Sequence, residues 1–144
     1  MFNKLNGNVY FDEKFSIEPD LTLSTFKASN DFHLWQSFRK EKDIGESYFR
    51  ISIEDSEQRR WHLIVWFVGG VLASLDLSIW LPNESYPLSW DTASEETELK
   101  RKSIHDAILG KDLGEGPYEY IWGKITSYFD RKSWGSDIRI IYNR

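Results

Sequence analysis

The chain has 144 residues, a formal net charge of −5 at pH 7, 40% hydrophobic residues and no cysteine. This length and composition predict a single folded domain spanning residues 1–144. The absence of cysteine excludes disulfide bonds, thiolate metal sites and thiol nucleophiles.

The distribution of charged and apolar residues bears on localisation and on the class of partner. The first seven residues lack the apolar core of a signal peptide. Asp76 and the Gly69-Gly70 pair interrupt the longest apolar run, so it does not match a membrane helix. We therefore expect a cytoplasmic protein that does not enter a membrane. The acidic balance disfavours nucleic acid, whose recognition needs a concentrated basic face, and suits a basic protein partner.

The first part of the chain predicts four short elements: an entry hairpin over residues 9–17, a helical turn over 23–30, and strands over 33–38 and 47–54. The last of these segments alternates strictly, with Phe49, Ile51 and Ile53 on one side. Such alternation is typical of a half-buried antiparallel strand with one face in solvent.

The strongest structural signal is the stretch 61–80, where two runs rich in β-branched and aromatic residues flank Gly69-Gly70. This pattern predicts a long β-hairpin, because glycine reaches the positive φ that a two-residue turn requires. Pairing Val68 with Val71 predicts a nearly continuous apolar core face: His62, Ile64, Trp66, Val68, Val71, Ala73, Leu75 and Leu77. The other face is mixed, and we expect a helix or a partner to cover it: Trp61, Leu63, Val65, Phe67, Leu72, Ser74, Asp76 and Ser78.

The main helix is predicted to begin near residue 92, because Thr92 and Glu95 have the spacing of a capping box. Three acidic residues favour the positive end of the helix dipole: Glu95, Glu96 and Glu98. The apolar stripe that follows is narrow: Ile104, Ala107 and Ile108. Gly110 predicts the end of the helix. We expect the helix to lie across the sheet with its N-terminal half in solvent.

A second hairpin closes the chain, with alternating segments at 118–129 and 138–142 and a connecting loop at 130–136. The complete pattern predicts an α+β fold, a mainly antiparallel sheet of about six to seven strands with one principal α-helix packed on it.

No residue pattern predicts a catalytic, cofactor or metal site. The three histidines, His33, His62 and His105, lie far apart in the sequence, whereas a zinc site needs ligands at close spacing. We expect His62 to pack in the core and His105 to interact with the negative end of the helix dipole. The glycine-rich stretch 110–116 follows a helix, whereas phosphate-binding loops precede one.

The C-terminal sequence Tyr120-Ile-Trp-Gly-Lys-Ile-Thr-Ser-Tyr-Phe-Asp-Arg-Lys-Ser-Trp-Gly-Ser-Asp-Ile-Arg-Ile-Ile-Tyr142, together with residues 95–114, resembles a group of known proteins. These are small bacterial proteins of unknown function, which are associated with the immunity proteins of toxin–immunity systems. The resemblance implies a small cytoplasmic bacterial protein and supplies no catalytic residues.

The leading hypothesis is a non-enzymatic domain that binds another protein, in its most concrete form an immunity protein that occludes a basic toxin domain. Aromatic and arginine side chains dominate binding hot spots, and complementary charge speeds association. The candidate partner-binding residues are Trp134, Tyr128, Asp130, Arg131, Glu95, Glu96 and Glu98. Three alternatives are a small-ligand pocket between helix and sheet, a hydrolase using His62 or His105, and a homodimer formed through the mixed hairpin face.

Overall fold

A computed structural model describes residues 1–37, 45–82, 84, 94–132 and 134–144. The elements in chain order are β1 (Val9–Tyr10), β2 (Ser16–Ile17), α1 (Leu23–Ala28), a 3-10 helix (Phe32–Leu34), β3 (Gln36–Ser37), β4 (Glu46–Glu54), β5 (Arg60–Val68), β6 (Val71–Ile79), α2 (Glu95–Leu113), β7 (Tyr118–Tyr120), β8 (Gly123–Asp130) and β9 (Gly135–Tyr142). The predicted α+β class, with one principal helix on an antiparallel sheet, is confirmed.

The main sheet has seven strands in the order β3-β4-β5-β6-β9-β8-β7, and all its pairings are antiparallel. It consists of two meanders, β3 to β6 and β7 to β9, which meet where β6 pairs with β9. Helix α2 connects the two meanders along the chain and packs against β6, β8 and β9. Strands β1 and β2 form the predicted entry hairpin as a separate two-stranded sheet.

The central hairpin turns at Gly69 and Gly70 as predicted, with φ of 60° and 82°. The predicted core face, however, is wrong. A β-bulge makes Trp66 pair with Ser74, although Phe67 pairs with Leu72, so Ala73 is an extra residue on β6. The bulge aligns the apolar residues of both strands on the face that was predicted to be mixed, where seven are fully buried: Trp61, Leu63, Val65, Phe67, Leu72, Leu75 and Leu77.

The predicted strand over residues 33–38 is largely wrong. A 3-10 turn occupies Phe32–Leu34, and only Gln36–Ser37 pair with β4, while residue 38 lies outside the described residues. Trp35, between the two, turns inward and makes an edge-on contact with Phe26 of α1 at 5.0 Å between ring centroids. Packing of this aromatic side chain therefore overrides the β-propensity of the segment.

Helix α2 begins after Ser94, whose Oγ accepts a hydrogen bond from the Thr97 backbone N–H at 3.1 Å. The predicted capping residue Thr92 lies outside the described residues. The helix does not end at Gly110. It continues to Leu113 and ends at Gly114, where φ is 81°. We attribute the extra turn to burial of Leu113, which outweighs the weak helix propensity of glycine.

The buried face of α2 is partly charged, which differs from the predicted narrow apolar stripe. Its buried residues are Glu98, Arg101, His105, Ile108, Leu109 and Leu113, whereas Ala107 is exposed. The N-terminal half of the helix is therefore fastened to the sheet through polar side chains, and the prediction that this half lies in solvent is wrong.

Candidate protein-binding surface

The main sheet has two faces of different character. Trp61 of β5 stacks on His105 of α2, with ring centroids 5.9 Å apart, so the buried side chains of β5 point toward the helix. The alternate side chains point away from it. We call this second side the outer face, and its residues on the central strands are Tyr48, Arg50, His62, Ile64, Trp66, Ser74, Asp76, Ser78, Tyr128, Asp137, Arg139 and Ile141.

Aromatic and aliphatic side chains of the outer face surround a shallow depression. The rings of Tyr48 and Trp66 stack almost in parallel, with centroids 5.7 Å apart and 6° between planes. Ile64 is half-buried, and Ile141 is 40% exposed. The depression has a volume of about 220 Å³ and is lined by Tyr48, Ile64, Trp66, Ser74, Asp76, Arg139 and Ile141. Large side chains left partly exposed and held in place are typical of binding surfaces.

A charged cluster borders this depression, and we call its members Asp76, Tyr128, Asp137 and Arg139 the Asp76–Asp137 cluster. The two Asp76 oxygens accept hydrogen bonds from Nε and Nη2 of Arg139 at 2.7 and 3.2 Å. The Arg139 guanidinium lies 5.1 Å from the centroid of the Tyr128 ring, and the Tyr128 hydroxyl donates to Asp137 Oδ2 at 3.2 Å. The cluster is therefore a connected network that spans β6, β8 and β9.

The pKa values in this cluster are shifted by burial and because two carboxylates share one guanidinium. Burial, followed by the charge of Asp76, raises the pKa of Asp137 to about 6. Burial and the same two carboxylates also raise the pKa of Tyr128, which keeps its hydroxyl protonated. The hydrogen bond to Asp76 raises the pKa of Arg139. With both carboxylates ionised, the four side chains have a net charge of −1.

The structure brings five of the seven predicted binding residues to one end of the molecule: Trp134, Asp130, Arg131, Glu95 and Glu96. The turn from β8 to β9 meets the N-terminus of α2 there, because Arg131 Nη2 donates to Glu95 Oε1 at 2.8 Å. Trp134 is 37% exposed with a φ of 51°, and its ring centroid lies 6.4 Å from that of Phe129. Tyr128 lies apart from this end, on the outer face.

Glu98 lies inside the protein, with 6% of its surface exposed. Its carboxylate accepts hydrogen bonds from Arg101 Nε and from the Ser136 backbone N–H, both at 3.1 Å. Arg101 also pairs with Glu84 at 2.6 Å and donates to the Ile79 carbonyl. These contacts fasten α2 to β6 and β9, so the Glu98 carboxylate is engaged within the fold.

The histidines occupy different environments from those predicted. His105 is fully buried, and its Nε2 accepts a hydrogen bond from the Ile79 backbone N–H at 3.0 Å. Burial, followed by the charge of Arg101, lowers its pKa to about 4, so it is neutral at pH 7 and is not a cation at the helix end. His62 is not in the core. It is half-buried on the outer face, where burial and Arg50 lower its pKa.

In the part of the chain that the structure describes, no group of three or more His, Asp or Glu side chains could hold a metal ion. Over the same residues, none of the helices has both the length and the apolar character needed to span a membrane.

Sequence inspection missed most of the outer face. Trp66 was assigned to the core, and Asp76, Asp137 and Arg139 were not singled out. The signal that identifies them is cross-strand alignment: Trp66 lies opposite Tyr48, and Asp76 lies opposite Arg139. The bulge at Ala73, in the ladder between β5 and β6, brings these two pairs onto the same face of the sheet.

The fold and the outer face define an α+β protein with an aromatic and charged sheet surface. No protein-family model matches the sequence, and no curated protein matches it. A solved structure described as Rhs1-CT in complex with cognate immunity protein RhsI1 contains a similar chain, with a TM-score of 0.63 and 13% sequence identity. The match covers 99% of the present chain and 86% of the other chain. At this identity the likeness concerns the fold.

Proposed function

We propose that this chain is an immunity protein that binds a toxin domain and neutralises it by occlusion. The observation that carries the proposal is the fold match to a chain of the Rhs1-CT–RhsI1 complex, which extends over nearly the whole length of the present chain. The resemblance of residues 95–114 and 120–142 to immunity-associated bacterial proteins supports assignment to the immunity side of such a complex.

Two physical features suit this role. Occlusion needs a surface that is already rigid, because ordering side chains during binding costs affinity. The stacked pair Tyr48–Trp66 and the Asp76–Arg139 ion pair hold the outer face in one arrangement. The net charge of −5 favours encounter with a basic toxin, and we propose that this encounter takes place in the cytoplasm.

The test begins with capture of partners by the tagged protein in its native host. The captured partner is then expressed alone, under a tightly controlled promoter, in a laboratory bacterial strain. We expect growth arrest that is relieved when the present chain is co-expressed. A captured protein that is harmless, or whose toxicity the chain does not relieve, would contradict the proposal. Recovery of further copies of the chain alone would support the homodimer alternative instead.

A variant pair then asks whether the end of the molecule predicted from the sequence takes part. Trp134→Ala and Glu95→Lys change the exposed tryptophan and one carboxylate at the N-terminus of α2. If this end contacts the toxin, the double variant should protect less well at an equal protein level. Full protection by the double variant would remove this end from the interface and leave the outer face as the candidate.

A further inference from the structure

We propose that the depression on the outer face receives a cationic side chain, an arginine or a lysine, from the protein partner. This inference rests on the proposed function, which supplies the toxin partner. It adds the place of contact and the chemistry of the anchoring group.

The walls of the depression match the length and polarity of such a side chain. Ile64 and Ile141 offer aliphatic surface to a methylene stem, and the stacked rings of Tyr48 and Trp66 offer aromatic surface to a cation. Long cationic side chains bury their stems in this way, and a guanidinium or an ammonium is attracted to an aromatic face. A volume of about 220 Å³ accommodates one side chain rather than a large ligand.

Charge complementarity selects the cation. Asp76 lines the depression, and Asp137 lies on the next strand, so two carboxylates surround the single guanidinium of Arg139. With two carboxylates and one guanidinium, the cluster holds more negative charge than Arg139 balances, and the charge of Asp76 adds to burial in raising the pKa of Asp137. An incoming cation would relieve that imbalance, whereas an incoming carboxylate would increase it.

Other charged side chains of the outer face lie to either side of this centre. Arg50 is separated from Asp76 by Ile64, and its Nε donates to Gln36 Oε1 at 3.3 Å, on the β3 side. Lys124 is exposed on β8, opposite Ile141. Neither of these two cations lines the depression.

A small probe tests the depression without a partner. Nα-acetyl-arginine methylamide is titrated into the ¹⁵N-labelled protein, and the indole N–H resonance of Trp66 is followed by NMR. Nα-acetyl-citrulline methylamide, which is neutral and nearly isosteric, is the matched probe. We expect a saturable shift with the arginine probe and none with the citrulline probe. Equal shifts from both probes, or no shift up to the solubility limit, would overturn the proposal.

Variants identify the carboxylates. Asp76→Asn and Asp137→Asn should each abolish the arginine-dependent shift while leaving the dispersion of the spectrum unchanged. Asp20→Asn is the matched control, because it removes the same charge from an exposed turn residue. Retention of the shift in both cluster variants would overturn the assignment to these carboxylates.

The toxin captured in the protection assay supplies the second measurement. We expect the Asp76→Asn and Asp137→Asn proteins to bind it on the order of tenfold more weakly, and the Asp20→Asn protein to bind it normally. Unchanged affinity in the cluster variants, combined with intact protection by the parent chain, would reject the anchor while leaving the immunity function standing. Failure of the capture experiment to yield a toxin would reject the immunity function. The NMR titration with the arginine probe is interpreted independently of that outcome.

Discussion

His105 couples the stability of the fold to pH. Its ring is fully buried against Trp61, its Nε2 is committed to the Ile79 N–H, and its pKa is lowered to about 4 from 6.5. Between these two values the unfolded chain binds a proton that the folded protein does not. The contribution of His105 to stability therefore falls as the pH drops from 6.5 toward 4, because protons at this group then favour the unfolded state.

The size of this effect follows from the two pKa values. A difference of about 2.5 units corresponds to about 3.4 kcal/mol when the pH is below both values. At pH 5 the histidine is largely protonated in the unfolded chain and largely neutral in the folded one. The stability contributed by His105 is then about 2 kcal/mol lower than at pH 7.5, and this is a large fraction of the free energy of unfolding of a typical domain.

The assay compares the parent protein with His105→Gln, whose amide oxygen can accept the Ile79 hydrogen bond but does not titrate. Urea unfolding is followed by tryptophan fluorescence at pH 7.5 and pH 5. The variant should be the less stable protein at pH 7.5, because the stack on Trp61 is lost. Groups other than His105, Asp137 among them, titrate alike in both proteins, so the change in stability from pH 7.5 to pH 5 should be about 2 kcal/mol more favourable in the variant than in the parent. The same change in the two proteins would refute a buried, neutral His105.

Three further predictions concern stability. Gly123→Ala should abolish or strongly reduce folding, because a Cβ at this position would lie 2.1 Å from the Ile141 carbonyl oxygen. Its matched control is Gly110→Ala, where an added Cβ would have no atom within 4 Å. This second variant should stabilise the helix by up to about 1 kcal/mol. Arg101→Met should cost about 3–5 kcal/mol, because it leaves two carboxylates unpaired beneath the helix. Because the pKa of Asp137 is raised in the folded protein, this group contributes stability that is lost as the pH rises from 4 to 7, by up to about 3 kcal/mol. Asp137→Asn should remove this loss.

Urea unfolding measures all of these changes, and each has a specific control or contrary result. Lys100→Met alters an exposed residue next to Arg101 and should be nearly neutral. Equal destabilisation by Arg101→Met and Lys100→Met would contradict the argument that the ion pairs of Arg101 stabilise the fold. A well-folded Gly123→Ala protein would mean that β8 and β9 can separate locally. If the free energy of unfolding changes with pH in the same way in the parent and in Asp137→Asn, the Asp137 carboxyl titrates normally.

The elements of the fold could be predicted from local sequence to a large extent. Strict alternation identified β4, the Gly69-Gly70 turn identified the central hairpin, and both are present. The faces of that hairpin could not be predicted, because one extra residue at Ala73 reverses the alternation of β6 relative to β5. Nothing in the local sequence marks this position, since only the packing of Leu75 and Leu77 against the helix side selects it.

The candidate surface was harder to predict for a related reason. Residues of the Asp76–Asp137 cluster lie on strands β6, β8 and β9, and Asp76 is 63 residues away from Arg139. Hydrophobicity patterns report which side chains are buried but not which polar side chains meet across strands. On α2, Glu98 and Arg101 were expected in solvent because charged residues are rarely buried unless they are paired, and their partners come from other elements.

The junction between β6 and β9 links assembly of the molecule to its capacity to bind. Each meander pairs strands that follow one another in sequence, whereas four residue pairs, Ser74–Ile141 to Leu77–Ile138, join the two halves. Contacts between distant residues form late in folding, because closing the intervening loop costs entropy. The Asp76–Arg139 pair lies across this junction. A chain whose meanders have not yet joined therefore keeps Asp76 apart from the other three members of the cluster, and only a chain that has completed its sheet presents the whole of it.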